Sequence, residues 1–540
     1  MSNGSPLPFA SILAPLAQSD AEYHDIQPPV YAMGDFRFSL KSLVGDNPDL
    51  TLSTSEAFDI DKLQAHSSLD TAQAQAFVAA LTRRVALIQG PPGTGKSYTG
   101  VALIKVLLKN RERAALGPII CVTFTNHSLD QLLMHLVDHG VEQIVRVGSR
   151  SKQEALEKVN LRYITQNMAR TRTEVRNIGS SLANLDTHTK TLNELLEQYG
   201  AAHTTRMLRR YLKRQNIAQA YELFGSHDAD EDGWEEGRGR GGDTINNWLA
   251  GRLHRSSFHN LRARPLDELR YEQVASMSKA ERRTLYDAWI EESRLQIWDE
   301  MQVIMQHVAA EKENLEASQK EIDLRCLQDA HVIGVTTTGL AKITDLLGRL
   351  HSKVLICEEA GEVLEAHTLA TLLPSIEHLI LIGDHQQLRP HIQNYNLSSE
   401  SSAGKQYSLD VSLFERLVAS TEEGLPKVPF ETLETQRRMH PSIANLVRST
   451  LYPQLLDAEH VTTYPEVAGL RKRLLWLDHR QRESAGDSDH LMATSHSNPY
   501  EARVVVGLVK HLVQQGVYGS ENIAVLTPVS TRVTIQSGLG

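Results

Sequence analysis

Cysteine is scarce. The 540 residues hold 3, Cys121, Cys326 and Cys357, with no CxxC pair and no zinc-type array. A disulfide framework is excluded, and two of these cysteines sit inside apolar runs, IICVTF and VLICEEA, that read as buried parallel strands. Long hydrophobic runs are missing too: none reaches the roughly 18 residues that a membrane-spanning helix needs, so no membrane partner is expected. The N-terminus MSNGSPLPFASILAPLAQSD lacks the basic start of a signal peptide, and an intracellular location is expected, with no signal separating nucleus from cytoplasm. Positive charge is not in excess. With 56 Lys and Arg against 66 Asp and Glu, the formal net charge of −10 argues against coating nucleic acid by bulk attraction, while leaving room for a channel lined locally by basic residues. The 23 His supply no metal cluster, and no internal repeat is found.

The chain does have an alternating rhythm. At 41% hydrophobic and 23% charged it reads as globular, and its length exceeds the roughly 250 to 300 residues at which single cores stop growing. From Leu69 to Gly148, VALIQ, GKSYTGVALIKVLL, IICVTF, LDQLLMHLVDHG and QIVRVG alternate strand and helix, as in a doubly wound parallel sheet. The rhythm resumes at HVIGVTTTG and runs through KVLICEEAGEVLEAH and HLILIGDHQQLRP. The expected fold is an α/β P-loop NTPase with two parallel-sheet lobes. Residues 69–150 and 328–395 form the first lobe, 151–327 a helical insertion, and 396–540 a second lobe that reads as truncated, since the sequence stops at LTPVSTRVTIQSGLG. Residues 1–68 read only as a partner or scaffold segment, and protein partners are expected there or on the insertion. Within the insertion, Leu285, Trp289, Leu295, Trp298, Met301, Met305 and Val308 recur at helical spacing, and Ser226 to Asp243 reads as a solvated loop tip.

QGPPGTGKSYTG carries the first chemistry. Gly90, Pro91, Pro92, Gly93, Thr94, Gly95, Lys96 and Ser97 fit G-x-x-x-x-G-K-S/T between an apolar strand and a helix. Glycines at 93 and 95 let backbone N–H groups face phosphate oxygens, and the helix N-terminus adds partial positive charge. Lys96 can reach the outer phosphates of ATP and Ser97 can hold Mg²⁺. Glu358 and Glu359 follow a buried apolar run. Alone they also suit a solvated helix start; beside a phosphate turn they read as the Mg²⁺ carboxylate and the group that polarises the attacking water.

The order LDTAQAQAF, GPPGTGKS, FTNHSLDQL, TTTG, EEAGE, GDHQQLRP, QRRMHP resembles the superfamily 1 helicases of the nonsense-mediated-decay class, and within them the silencing-linked helicases that carry zinc fingers beyond the motor. The resemblance spans about Leu69 to Pro528 outside the insertion. It implies RecA-like lobes, ATP with Mg²⁺ as cofactors, and single-stranded nucleic acid, RNA favoured, as partner. It further implies that Gln73 reads adenine, that Gln387 senses the γ-phosphate and that Arg438 enters from the second lobe as an arginine finger. Two positions depart from the class: Glu358 stands where Asp is usual and Arg437 where Tyr is common. The QGxE and late TRA motifs of such motors are also not found.

Strand contacts are implied for Thr125 and Asn126 in TNHSLDQ and for Thr337 in TTTG; Ser128 reads equally as a contact and as a helix cap, and Thr338 also suits a cap. In TTRMLRRYLKRQ, Arg209 and Arg210 lie on a basic helical face opposite Met207, Leu208, Tyr211 and Leu212, either a solvated face or a phosphate contact. The expected activity is an ATP-dependent helicase or translocase, with an ATP-gated clamp of little turnover as the alternative.

Overall fold

The structure, a computed structural model, describes residues 8–13, 27–45, 50–149, 151, 153–215, 217–225, 244–253, 263–419, 428–485 and 496–526. The acidic loop expected at 226–243 and the last residues, 527–540, lie outside them.

Seven short strands make one sheet: β1 (Val85–Gln89), β2 (Ile119–Thr123), β3 (Ile144–Val147), β4 (Val332–Thr336), β5 (Val354–Glu358), β6 (His378–Gly383) and β7 (Phe430–Thr432). Their order is β3-β4-β2-β5-β6-β1-β7, and every pairing is parallel. The first six are buried along their whole length, which is why they read as continuous Val, Ile and Leu runs without alternation. Because all strands run the same way, every strand-to-helix loop opens on one edge, the carboxyl edge, where α/β sheets bind their ligands.

Helices α1 (Thr71–Thr82), α2 (Lys96–Lys109) and α3 (Asn126–Asp138) pack on this sheet. Asp70 starts α1 with a reciprocal capping box: its carboxylate accepts from Gln73 N–H, and Gln73 Oε1 accepts from Asp70 N–H. The segment expected as a separate scaffold, 1–68, is built into this core where it is described. An antiparallel pair, Arg37–Ser39 with Thr51–Ser53, buries Phe38, Leu40 and Leu52 against the same cluster as Phe77 of α1 and Leu103 of α2. Tyr31 OH and the Ala80 carbonyl each lie 2.7 Å from one ring nitrogen of the fully buried His378, in β6.

The chain divides into two compact units, Met1–Gln166 with Cys326–Gly540, and Asn167–Arg325. Residues 153–166 thus go with the sheet, not with the insertion expected from 151: Arg146 N–H donates to the Val159 carbonyl at 2.8 Å. The second unit contains α4 (Arg172–Gly200), α5 (Thr205–Arg214) and most of α6 (Lys279–Gln328). Leu208, Leu212, Trp248, Leu285 and Trp289 form its core, with Trp248 and Trp289 stacked at 5.7 Å. Leu195, Ile297 and Met301 make a smaller cluster further along. The expected stripe on α6 is only partly buried: Leu285, Trp289 and Met301 are covered, whereas Leu295, Trp298 and Met305 are exposed. Short helices cover the start of α6, and beyond them α4 supplies a single contact line.

After residue 396 the chain does not begin a separate sheet at once. Phe430–Thr432 lies inside the expected second lobe, yet it adds to the edge of the first, with Leu87↔Phe430, Ile88↔Glu431 and Gln89↔Thr432 in register. Beyond it, α7 (Pro441–Thr450) is flanked by Thr435–Gln436 and Leu456–Asp457, which pair in parallel as a separate two-stranded sheet, and Ser484–Ala485 pairs with His496–Ser497 ahead of α8 (Pro499–Gln514). α8 buries none of its residues. No helix among the described residues is long and apolar enough to cross a membrane.

Candidate nucleotide site and strand-facing loops

The turn from Gly90 to Gly95 leaves β1 and enters α2 at its first residue, Lys96. Gly93 and Gly95 hold φ of +80° and +84°, where an L side chain is strained, and a Cβ on Gly95 would come 2.6 Å from Gln73 Nε2. Thr94, buried, closes the turn on the Pro91 carbonyl at 2.8 Å, beside Pro92. Lys96 Nζ donates to the Gly90 carbonyl at 2.5 Å, inside the turn. Burial pulls its ammonium below the usual lysine range, against the opposing pull of Asp384 and with the help of nearby Arg438.

Glu358 ends β5 facing α2. Ser97 Oγ donates to its Oε2 at 3.5 Å, while its Oε1 is buried with no hydrogen-bond partner. Gly100 leaves the space around that oxygen; a Cβ there would approach it to 2.9 Å. Burial first, and the neighbouring Glu359 second, push the Glu358 carboxyl up to about 7. A hydroxyl and an unpaired buried carboxylate oxygen side by side are hard oxygen donors of the kind that suits Mg²⁺. Glu359 follows in the left-handed region, φ 55° and ψ 36°, and its Oε2 accepts from Ser128 Oγ.

Asp384, at the end of β6, gathers the next group. Its carboxylate accepts from Gln387 Nε2 at 2.7 Å, from Tyr452 OH at 2.6 Å and from Gln386 N–H at 3.1 Å. Gln387 is thereby anchored at the sheet edge with the rest of its surface exposed. Burial, then Asp384, push the Tyr452 hydroxyl up.

Arg438, expected from a second lobe, follows directly on Thr435–Gln436, which pairs in parallel with Leu456–Asp457 in a small two-stranded sheet, while β7, a few residues earlier, hydrogen bonds to the phosphate-turn strand itself. A Cβ on Gly93 would meet Arg438 Cβ at 2.7 Å, so the two chains touch. Gln436 Oε1 accepts from both Arg438 N–H and Met439 N–H, at 2.9 and 2.7 Å, fixing the bend. Arg437, at the position where Tyr is common, donates its backbone N–H to the Gly93 carbonyl at 2.8 Å and its guanidinium to Asp70 at 2.8 Å. Gln73 is 2% exposed and its Nε2 donates to the Thr94 carbonyl at 3.0 Å, so it braces the phosphate turn rather than standing free.

Of the strand-facing residues, Thr125 is the N-cap of α3, accepting from Ser128 N–H at 3.1 Å, and Asn126 is exposed beside it. Thr336 caps the helical turn of TTTG by accepting from Gly339 N–H at 3.2 Å. Thr337, expected as a strand contact, is buried with its hydroxyl unpaired; Thr338 is the exposed threonine, because the turn rotates its neighbour inward. Arg209 and Arg210 belong to the second unit: Arg209 lies over the Phe224 ring at 5.6 Å, while Arg210 is exposed.

The structure therefore brings together Lys96, Ser97, Glu358, Glu359, Gln387 and Arg438 at one sheet edge, and leaves Arg209 and Arg210 in the other unit. Sequence reasoning missed Asp70, Tyr452 and Arg146. For Tyr452 no signal exists. An arginine inside the apolar run IVRV was a signal for Arg146: it is fully buried, ion-paired with Asp130 at 2.7 Å, and donates to Asn126 Oδ1 at 3.1 Å.

A glycine turn at the carboxyl end of a buried parallel strand, faced by a polar hub on the next strand and paired carboxylates on the one beyond it, defines a P-loop nucleoside triphosphatase. Two family models, each described as an AAA domain, match residues 68–394 and 409–537. The chain belongs to the Upf1-like superfamily 1 helicase family. It is 29% identical to the mouse (Mus musculus) NFX1-type zinc finger-containing protein 1, over 85% of this chain and 29% of that protein. It is 28% identical to the helicase required for RNAi-mediated heterochromatin assembly 1 of Schizosaccharomyces pombe, over 89% of this chain and 51% of that protein. The ATP-dependent helicase upf1 of the same yeast is 24% identical over 74% of this chain and 29% of its own length. The chain spans about half the length, or less, of these relatives.

Proposed function

We propose that this chain is an ATP-dependent motor of the helicase type that acts on single-stranded nucleic acid, RNA favoured. One observation carries the reading: Lys96, Ser97, Glu358, Glu359, Gln387 and Arg438 meet at the carboxyl edge of one sheet, beside the loop of Thr125 and Asn126. Ser97 and Glu358 would hold Mg²⁺, which when bound supplies charge neutralisation between the outer phosphates of ATP. Lys96 binds the same phosphates as a point charge once it leaves the Gly90 carbonyl. Glu359 orients and deprotonates the attacking water, Gln387 holds that water or the γ-phosphate from its anchor on Asp384, and Arg438 faces the charge that develops on the equatorial oxygens. Gln73 and Asp70 keep the turn in shape, and the nucleobase is met on the side of α1.

RNA is favoured on the family resemblance and on the likeness to the Schizosaccharomyces pombe helicase required for RNAi-mediated heterochromatin assembly. A second reading, an ATP-gated clamp of little turnover, is favoured by the short tether of Arg438, which follows by a few residues on β7, a strand bonded to the phosphate-turn strand itself. ATP hydrolysis measured with and without oligouridylate separates the two. Strand-stimulated turnover that Lys96→Ala and Glu359→Gln abolish supports the motor. Strand and nucleotide binding without stimulated turnover supports the clamp, and no nucleotide binding overturns both.

A further inference from the structure

Glu359 carries one contact that its proposed role does not use. Its Oε2 is bonded to Ser128 Oγ, and Ser128 Oγ lies 2.7 Å from Thr125 Oγ1. A serine hydroxyl has one proton, and an ionised carboxylate can only accept. The proton order is therefore fixed: Ser128 donates to Glu359, and Thr125 donates to Ser128. Thr125 Oγ1 meanwhile accepts from Ser128 N–H at 3.1 Å, so the N-cap of α3 and the relay share one hydroxyl. Ser128 is buried, Thr125 is half-buried, and Asn126 beside it is exposed.

Asn126 is held by the buried Arg146, which Asp130 in turn fixes; the loop is thus rigid, and what is free to change is the direction of the Thr125 proton. A phosphate oxygen of a strand accepts and does not donate. If it meets Thr125, it takes the proton that otherwise goes to Ser128, and the Ser128 to Glu359 bond loses its cooperative support. The backbone of Glu359 lies in a region that non-glycine residues rarely occupy, so its carboxylate is aimed by its surroundings, of which Ser128 is the polar part.

We infer that Ser128 is a positioning residue that ties the water-activating carboxylate of Glu359 to the strand-facing loop, and that a strand phosphate taking the Thr125 proton releases it. This rests on the reading of Glu359 given above. The chain then has a built-in reason to hydrolyse faster on a strand: the carboxylate is parked until the loop is occupied.

The test compares the full chain with Ser128→Ala, Ser128→Thr, Thr125→Val and Lys96→Ala, using ATP and oligouridylate. Ser128→Ala is expected to raise turnover without strand and to lower the ratio of stimulated to unstimulated turnover by about tenfold or more, the factor one hydrogen bond to a charged group carries. It also tightens oligouridylate binding, read by fluorescence anisotropy, because Thr125 no longer has to give up a partner. Ser128→Thr restores the wild-type ratio, and Thr125→Val lowers it. A ratio unchanged in Ser128→Ala, both rates falling together, or unaltered strand affinity overturns the inference, as does a wild type that a strand does not stimulate. A nucleotide-induced thermal shift equal to wild type shows that Ser128→Ala is folded. If Lys96→Ala hydrolyses normally, the site reading itself fails; if Lys96→Ala is inactive and the Ser128→Ala ratio is unchanged, only the relay fails.

Discussion

Glu358 shows at a single residue how the fold prepares a charge site. Its carboxyl is pushed up to about 7 by burial and then by Glu359, with Lys96 and Ser97 pulling back. One of its oxygens has no partner. A divalent cation reverses that balance, since the ion becomes the largest local charge. Wild-type protein is expected to gain about 2.7 kcal/mol at a hundredfold excess of nucleotide over its dissociation constant. Glu358→Gln, with nearly the same shape, is expected to keep the magnesium-free stability and to lose the magnesium-dependent part of the nucleotide-induced thermal shift. An unchanged magnesium dependence would place the cation elsewhere. Lys96→Ala removes a preorganised donor to charge developing in the transition state, and its hydrolysis is expected to fall by about 10²–10³-fold. Steady-state turnover at saturating ATP measures it.

At the scale of the element, the sheet edge is held together by pairs that lie far apart in the chain. Tyr452 closes on Asp384 Oδ2, the same oxygen that aims Gln387, while Oδ1 holds Gln386 N–H. Tyr452→Phe deletes one hydrogen bond to a charged acceptor, worth about 1.5–3 kcal/mol. It is expected to lower kcat more than it raises KM for ATP, because Gln387 loses its fixed base while the phosphate turn is untouched. A KM effect alone would put Tyr452 in structure only.

Such pairs also mark the limit of what the sequence shows. Six of the seven strands were legible because each is a largely apolar run of a fully buried strand, interrupted by charge only at Arg146, and the phosphate turn and paired carboxylates because their spacing is local. β7 was not legible: Phe430–Thr432 is three half-buried residues whose only warrant is the free edge of β1. Thr337 was misplaced because three consecutive threonines give no periodicity to say which one turns inward, and the packing of 27–66 depends on contacts such as Tyr31 with His378 that no local pattern encodes.

At the scale of the whole molecule, His378 links acidity to stability. Burial pulls its imidazole down to about 4 from the ordinary 6.5, opposed by the Ala80 carbonyl. Below about pH 6.5 the unfolded chain takes up a proton that the folded chain refuses, so the stability present above that value is lost as pH falls towards about 4, at up to about 1.4 kcal/mol per pH unit. His378→Gln is expected to be less stable near neutrality but to show a flatter loss between about pH 6.5 and about pH 4.5, measured by urea denaturation. A parallel slope in both proteins would assign acid sensitivity to other groups.

The two units have separate hydrophobic cores. The cluster around Phe77, Leu103 and Ile356 takes no residue from 167–325, and the cluster around Trp248 and Trp289 takes none from outside it. The two ends of the insertion also meet: Arg325 donates to the Ala169 carbonyl and to Glu174, both at 3.0 Å. A chain that leaves the sheet at Gln166 and returns at Cys326 therefore has a short gap to bridge once the insertion is removed. Replacing 167–325 by a short Gly/Ser linker costs little closure entropy, since that term grows only by about 0.6 kcal/mol for each doubling of loop length. The shortened protein is expected to melt in a single transition and to keep the nucleotide-induced thermal shift of the full chain, because Lys96, Ser97, Glu358, Glu359, Gln387 and Arg438 all lie outside the excised segment. If Arg209 and Arg210 contact phosphates, oligouridylate binding weakens and its dependence on salt becomes shallower at the same time, which follows from releasing fewer counterions. If they form only a solvated face, the slope of affinity against salt is the same in both proteins. Loss of the thermal shift on excision would show instead that the helical unit shapes the nucleotide site.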